Sequence, residues 1–128
     1  MPEKPATLLC VDDEAVGLCV RKMTLESQGY RVLTAENGPA GLAVFSSETI
    51  DLVVLDYMMP GMNGDAVAQQ MRRIKPDVPI LLLSAYVDLP CETLGLVDKY
   101  ITKGEGPAVL LNAISELLRR RATRKATA

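Results

Sequence analysis

Five polar residues stand directly behind apolar runs in this chain of 128 residues. Asp12 and Asp13 follow Thr7 to Val11 (TLLCV), Asp56 follows Asp51 to Leu55 (DLVVL), Ser84 follows Val78 to Leu83 (VPILLL), and Lys103 follows Tyr100 to Thr102 (YIT). Three carboxylates brought into one small site repel each other, and such a group is tolerated mainly when a hard cation neutralises it. Mg²⁺ is the natural occupant, because it takes oxygen ligands in an octahedron, keeps several waters, and usually combines one or two carboxylates with phosphate oxygens. Lys103 brings a compact positive charge and Ser84 a hydroxyl, both suited to a phosphoryl group bearing nearly two negative charges.

Much other chemistry is excluded by composition. The chain has no histidine, so the commonest general base and the commonest zinc ligand are missing, and with them Ser-His-Asp, Cys-His and HExxH mechanisms. Cys10, Cys19 and Cys91 are odd in number and widely separated, which indicates neither a disulfide framework nor a metal pair and predicts small buried hydrophobes. Hydrophobic residues make up 48% and charged residues 23%, as in an ordinary globular domain able to bury its own core.

For the five residues to meet, the intervening segments must return the chain to the same edge each time. Behind Asp12-Asp13-Glu14, helical spacing of Val16, Val20, Met23 and Ser27, joined by Leu18 and Leu25, predicts a helix that Gly29 stops. Tyr30 to Ala35 reads as a strand, and Asn37-Gly38-Pro39 as the cap and first turn of a helix carrying Leu42 and Phe45. The run ending at Asp56 is a strand of the kind buried on both faces. After the loop YMMPGMNG, Val67, Met71 and Ile74 mark a helix ended by Lys75-Pro76, and Val78 to Leu83 a fourth strand. Between Ser84 and Lys99, Pro90 and Gly95 leave room for only about two turns of helix. Tyr100 to Thr102 is a short fifth strand, and Pro107 opens a helix with Leu110, Leu111, Ile114, Leu117 and Leu118 on one face.

Five βα repeats with apolar strands predict an α/β fold, a parallel sheet with helices on both faces and right-handed crossovers. Ligands of such sheets bind beyond the carboxyl ends of the strands, where Asp12, Asp13, Asp56, Ser84 and Lys103 fall. Asp12 alone would read as a helix N-cap, but a cap needs no second acid beside it.

From about Thr7 to Leu118 the chain resembles the receiver domains of two-component response regulators. The matching motifs are VDDE at Val11 to Glu14, LDYMMPGMNG at Leu55 to Gly64, LLSA at Leu82 to Ala85, and YITK at Tyr100 to Lys103. The resemblance implies a flavodoxin-like doubly wound (βα)5 sandwich with strand order 2-1-3-4-5, whose fourth helix is here short or irregular. It implies that Asp56 accepts a phosphoryl group from a histidine of a kinase or phosphotransfer protein. Asp13 and Asp56 would hold Mg²⁺ directly, Asp12 through water, and the backbone carbonyl of Met58 would complete the protein ligands. Lys103 would pair with a phosphoryl oxygen, Ser84 would be drawn to that group, and Tyr100 would swing into the space left behind. Met58 and Tyr86 occupy the positions that flank the hydrolytic water in receivers. Neither is acidic or amide-bearing, which predicts slow self-dephosphorylation.

One departure follows Lys103, where receivers usually have a cis proline and this chain has Gly104. Cis geometry at a non-proline bond costs about 2.5 to 4 kcal/mol, so a trans bond and a less firmly placed lysine are expected, with the isomer itself left open. The weak segment between Ser84 and Lys99 is the second departure, and it leaves homodimerisation and other partner modes open. Two rival readings remain. A receiver-like interaction module working without phosphorylation has no reason to keep all five polar residues, and an aspartate-nucleophile hydrolase normally has a second Asp where Met58 stands.

The expected boundaries are a receiver domain over 1–121 and a basic tail over 122–128 that frays into solvent. Arg119, Arg120, Arg121, Arg124 and Lys125 are five of the 14 basic residues, so the rest of the chain carries a charge near −7 against 16 acids. An acidic body argues against nucleic-acid binding, and a solubilising tail or the start of a linker is the simpler reading. No apolar run approaches a membrane span, and Glu3, Pro2 and Pro5 are unlike a signal peptide. The expected compartment is the cytoplasm, with a downstream protein as the receiver of the signal.

Overall fold

Strands and helices alternate five times in a computed structural model that describes residues 4–85 and 88–127, with side chains as far as residue 124. The elements are β1 (Thr7–Val11), α1 (Ala15–Glu26), β2 (Arg31–Ala35), α2 (Gly38–Ser47), β3 (Leu52–Asp56), α3 (Gly64–Ile74), β4 (Ile80–Ser84), α4 (Cys91–Leu96), β5 (Lys99–Thr102) and α5 (Pro107–Thr127). A 3₁₀ turn over Lys103–Glu105 joins the last two. Every pairing is parallel and the sheet order is β2-β1-β3-β4-β5, the flavodoxin-like arrangement that the resemblance implies.

Successive strand residues point to opposite faces, and here both faces are covered. Leu8, Cys10, Leu52, Val54, Leu81, Leu83 and Ile101 meet Leu18 and Leu25 of α1 and Leu110, Ile114 and Leu117 of α5. On the other side Leu9, Val11, Val53, Leu55, Ile80 and Leu82 meet Phe45 of α2 and Val67, Ala68 and Met71 of α3. This double burial accounts for the unbroken apolar runs in β1, β3 and β4, all of whose residues are buried.

Local signals set the element ends. The Asn37 side chain accepts the Ala40 amide at 2.8 Å and caps α2, while Gly29 takes a φ of +92° just past α1, a conformation that favours glycine. The six-residue α4 is too short to hold by propensity alone. Arg72 secures its end by donating from Nε to the Leu96 carbonyl at 2.9 Å and from Nη1 to the Val78 carbonyl at 3.1 Å, while Nη2 pairs with Asp98 at 2.5 Å.

Three expectations require correction. The apolar face of α1 is set by Leu18 and Leu25, whereas Val16, Val20 and Met23 are 76%, 58% and 64% exposed. Two apolar stripes compete on this helix, and the sheet takes the one that aligns with Cys10 and Ile101. Cys10 is buried as expected, but Cys19 and Cys91 are exposed, Cys19 because it shares the outward side of α1. The C-terminal residues do not fray: α5 stays helical to Thr127. Arg121 turns inward, donating from Nη1 to the Asp51 carbonyl at 3.2 Å and pairing with its carboxylate at 3.1 Å.

Candidate functional site

The parallel sheet delivers its polar residues to one edge. Asp56 and Ser84 are the last residues of β3 and β4, Lys103 comes directly after β5, and Asp12 extends β1 by donating its amide to the Ala35 carbonyl at 3.1 Å. Beyond Asp56 the loop is held close: the Tyr57 amide donates to the Leu83 carbonyl at 2.9 Å and the Gly64 amide to the Tyr57 carbonyl at 2.7 Å. A Cβ on Gly64 would collide with the Asp56 carbonyl oxygen, so glycine is what lets α3 begin against the site.

Asp12, Asp13 and Asp56 each bring a carboxylate oxygen to within 4.8 Å of the other two. Asp12 and Asp56 are 1% and 3% exposed, while Asp13 faces solvent. Lys103 Nζ bridges the buried pair, 3.0 Å from Asp56 Oδ1 and 3.3 Å from Asp12 Oδ2. Burial pushes the Asp56 carboxyl up to about 6; Lys103 opposes this and the charges of Asp12 and Asp13 add to it. For Asp12, burial again acts upward, but the Glu14 amide, Lys103 and Arg21 outweigh it and hold the carboxyl below its ordinary range. Lys103 is raised above the ordinary lysine value: burial works against its charge, and the two aspartates more than restore it. The donor set is all oxygen, acidic and partly open to water, which fits a hard divalent cation.

The other candidate residues differ in where they fall. Ser84 is wholly buried beside Thr102 in the sheet register. Tyr100 is half-buried on β5, next to Leu82, and faces away from the side where Ile101 packs. Met58 lies in the loop after Asp56 with its side chain 48% exposed, whereas Met59 is core. Tyr86 lies outside the described residues.

Two residues at the site escaped the sequence reading. Arg21 of α1 pairs with Asp12 Oδ2 at 3.1 Å; its signal was a cation in the stripe between Leu18 and Leu25. Glu105 closes a capping box on the turn that carries Lys103, accepting from the Thr102 amide at 2.9 Å and from its hydroxyl at 3.0 Å. The spelling Thr-Lys-Gly-Glu is a legible capping box. All peptides among the described residues are trans, Lys103–Gly104 included. The lysine expected to be less firmly placed is thus carried on a closed turn and anchored by two carboxylates.

Comparison with known proteins bears on the family and the fold. Residues 8–115 match the family described as response regulator receiver domain. A probable transcriptional regulator ycf27 of Cyanidium caldarium is 39% identical over 93% of this chain, and the chain spans 49% of that protein's length. A receiver domain protein of Methanospirillum hungatei superposes with a TM-score of 0.90 at 28% identity, covering 94% of this chain and 98% of that one. The response regulator TrrA of Thermotoga maritima, solved in complex with Mg(2+)-BeF, has a TM-score of 0.81 at 37% identity over 88% of this chain and 98% of its own. TrrA is also solved in complex with the histidine kinase ThkA. With this match over most of its length and the sheet order β2-β1-β3-β4-β5, this chain belongs to the response regulator receiver domain family.

Proposed function

We propose that the chain is a phosphorylation-operated switch in a two-component system or phosphorelay, with Asp56 as the acceptor. The observation that carries this reading is the lysine-bridged acidic cluster, in which Asp12, Asp13 and Asp56 offer oxygens within 4.8 Å of one another and Lys103 contacts the buried pair. Asp56 attacks the phosphorus of a phosphohistidine, one carboxylate oxygen forms the new O–P bond, the N–P bond breaks, and the imidazole leaves and takes a proton from solvent. Asp13, Asp56 and the Met58 carbonyl would hold Mg²⁺, with Asp12 reaching it through water, and when bound the cation would supply positive charge to offset the phosphoryl oxygens. Lys103 exchanges its carboxylate contacts for a phosphoryl oxygen, Ser84 follows, and Tyr100 moves inward to alter the surface met by a downstream protein.

The chain is thus a phosphoacceptor regulatory domain that assists its own modification, rather than an enzyme acting on a separate substrate. Met58 and Tyr86 make self-dephosphorylation slow. The TrrA complexes with Mg(2+)-BeF and with ThkA support the cation and the histidine-kinase partner. We assign the receiver domain to residues 1–121 and a basic segment to 122–128, acting in the cytoplasm; no helix among the described residues is long and apolar enough to cross a membrane. Intact-protein mass after incubation with acetyl phosphate or phosphoramidate tests the reading. One phosphoryl group is expected on wild type with Mg²⁺, and none without Mg²⁺ or in Asp56→Asn. No added mass in wild type, under conditions that label another receiver, would favour the phosphorylation-independent module.

A further inference from the structure

Asp12 has no idle oxygen in this structure. Oδ1 accepts the Glu14 amide at 3.0 Å, and Oδ2 is shared by Arg21 Nη1 at 3.1 Å and Lys103 Nζ at 3.3 Å. The two cations differ in what else they can do. Lys103 also touches Asp56 and gains a better partner when a phosphoryl group arrives. Arg21 is 14% exposed and borders a cavity of about 470 Å³ between α1 and the β5–α5 segment, with Val20, Leu83, Ile101 and Leu110 in its walls. A guanidinium set against such apolar walls is costly to strip of its carboxylate.

Charge at the site therefore depends on Arg21. Three carboxylates against Lys103 alone leave two net negative charges, and Arg21 reduces this to one. A dication approaching the pocket meets a weaker field, and the Asp12 oxygen that would receive its water-bridged contact is already engaged.

We propose that Arg21 is a built-in counter-charge that weakens Mg²⁺ binding to the unphosphorylated chain, so that tight metal retention waits for the negative charge of an incoming phosphoryl group. The inference rests on the proposed cation site. Arg21 acts through Asp12 and is a positioning residue with no contact to the reacting atoms.

Isothermal titration calorimetry with Mg²⁺ alone, on the full chain, measures the effect. Arg21→Gln and Arg21→Ala are expected to bind Mg²⁺ about tenfold more tightly than wild type, and Arg21→Lys, which keeps the charge, within about twofold of it. A role confined to packing would lower stability in Gln and Ala variants without tightening the metal, so thermal melts in EDTA are recorded beside the titrations. Equal or weaker Mg²⁺ binding by Arg21→Gln, with measurable binding by wild type, overturns the counter-charge and leaves the switch intact. Absence of binding by wild type and all three variants overturns the counter-charge together with the metal site. Binding by Arg21→Gln alone supports the proposal in its strongest form.

Discussion

Asp56 occupies a place where a carboxylate is costly, and the cost has a pH signature. Its folded value near 6 lies above the unfolded value of about 3.9, so the folded chain holds this proton more tightly. The associated stability is fully present below about pH 4 and is lost as pH rises to about 6. Asp12, held low, acts in the opposite sense, and its contribution is lost only as pH falls below about 4. In EDTA, Asp56→Asn is therefore expected to raise stability by roughly 1 to 2 kcal/mol near neutral pH and to change it little near pH 4. Urea midpoints at the two pH values read this directly; equal effects at both would show that burial does not make the Asp56 carboxylate costly. The turn behind Lys103 makes a second test. Glu105→Ala breaks the capping box, which is worth about 1 kcal/mol in such turns, and labelling by acetyl phosphate should slow a few-fold. Glu105→Gln can still accept from Thr102 and should stay near wild type. Equal rates in all three proteins would separate the capping box from the lysine's placement.

At the scale of elements, α1 shows an apolar outer face and α5 an inward-turned arginine that composition alone disguises. Val16, Val20 and Met23 present apolar surface to water on the helix that begins beside Asp13, and a phosphodonor protein that reaches Asp56 from this side would cover that surface. Val20→Glu removes apolar area from an exposed position, where substitutions usually alter stability by under about 0.5 kcal/mol. Transfer from the cognate phosphodonor protein should fall about tenfold while labelling by acetyl phosphate is unchanged; parallel loss of both rates would place the defect in the fold instead. On α5, Arg121 ties the helix to Asp51, whose other carboxylate oxygen accepts the Thr7 amide at 2.7 Å. The clamp joins the starts of β1 and β3 to α5. Arg121→Ala should cost about 2 kcal/mol in urea denaturation, whereas loss of Arg120, which among the described residues pairs with Glu116 of its own exposed turn, should cost under about 0.5 kcal/mol in Arg120→Ala. Equal costs would reduce Arg121 to a surface charge.

Across the whole molecule, what periodicity could reveal was set by how completely each element is buried. Strands with both faces covered leave unbroken runs such as DLVVL, and strand ends are marked by the polar residues that follow, so sheet and acidic edge were legible together. The inward face of α1 was not, because Val16, Val20 and Met23 make as good a helical stripe as Leu18 and Leu25, and only the sheet decides between them. Arg21 and Arg121 were hidden for a related reason: an arginine's partner can lie well away in sequence, nine residues back for Asp12 and 70 for Asp51. The acidic edge also links site to global stability. A cation that binds only the native chain adds stability as its concentration exceeds the dissociation constant, about 2.7 kcal/mol at a hundredfold excess. For a domain of this size that amounts to a rise in Tm of about 10 °C. Scanning calorimetry in EDTA and in saturating Mg²⁺ should give this rise for wild type and little or none for Asp13→Asn, whose carboxylate is exposed and whose loss should leave the fold in place. An equal rise in both proteins would mean that Mg²⁺ binds elsewhere on the acidic body, and the cluster at the strand ends would lose its claim to the metal.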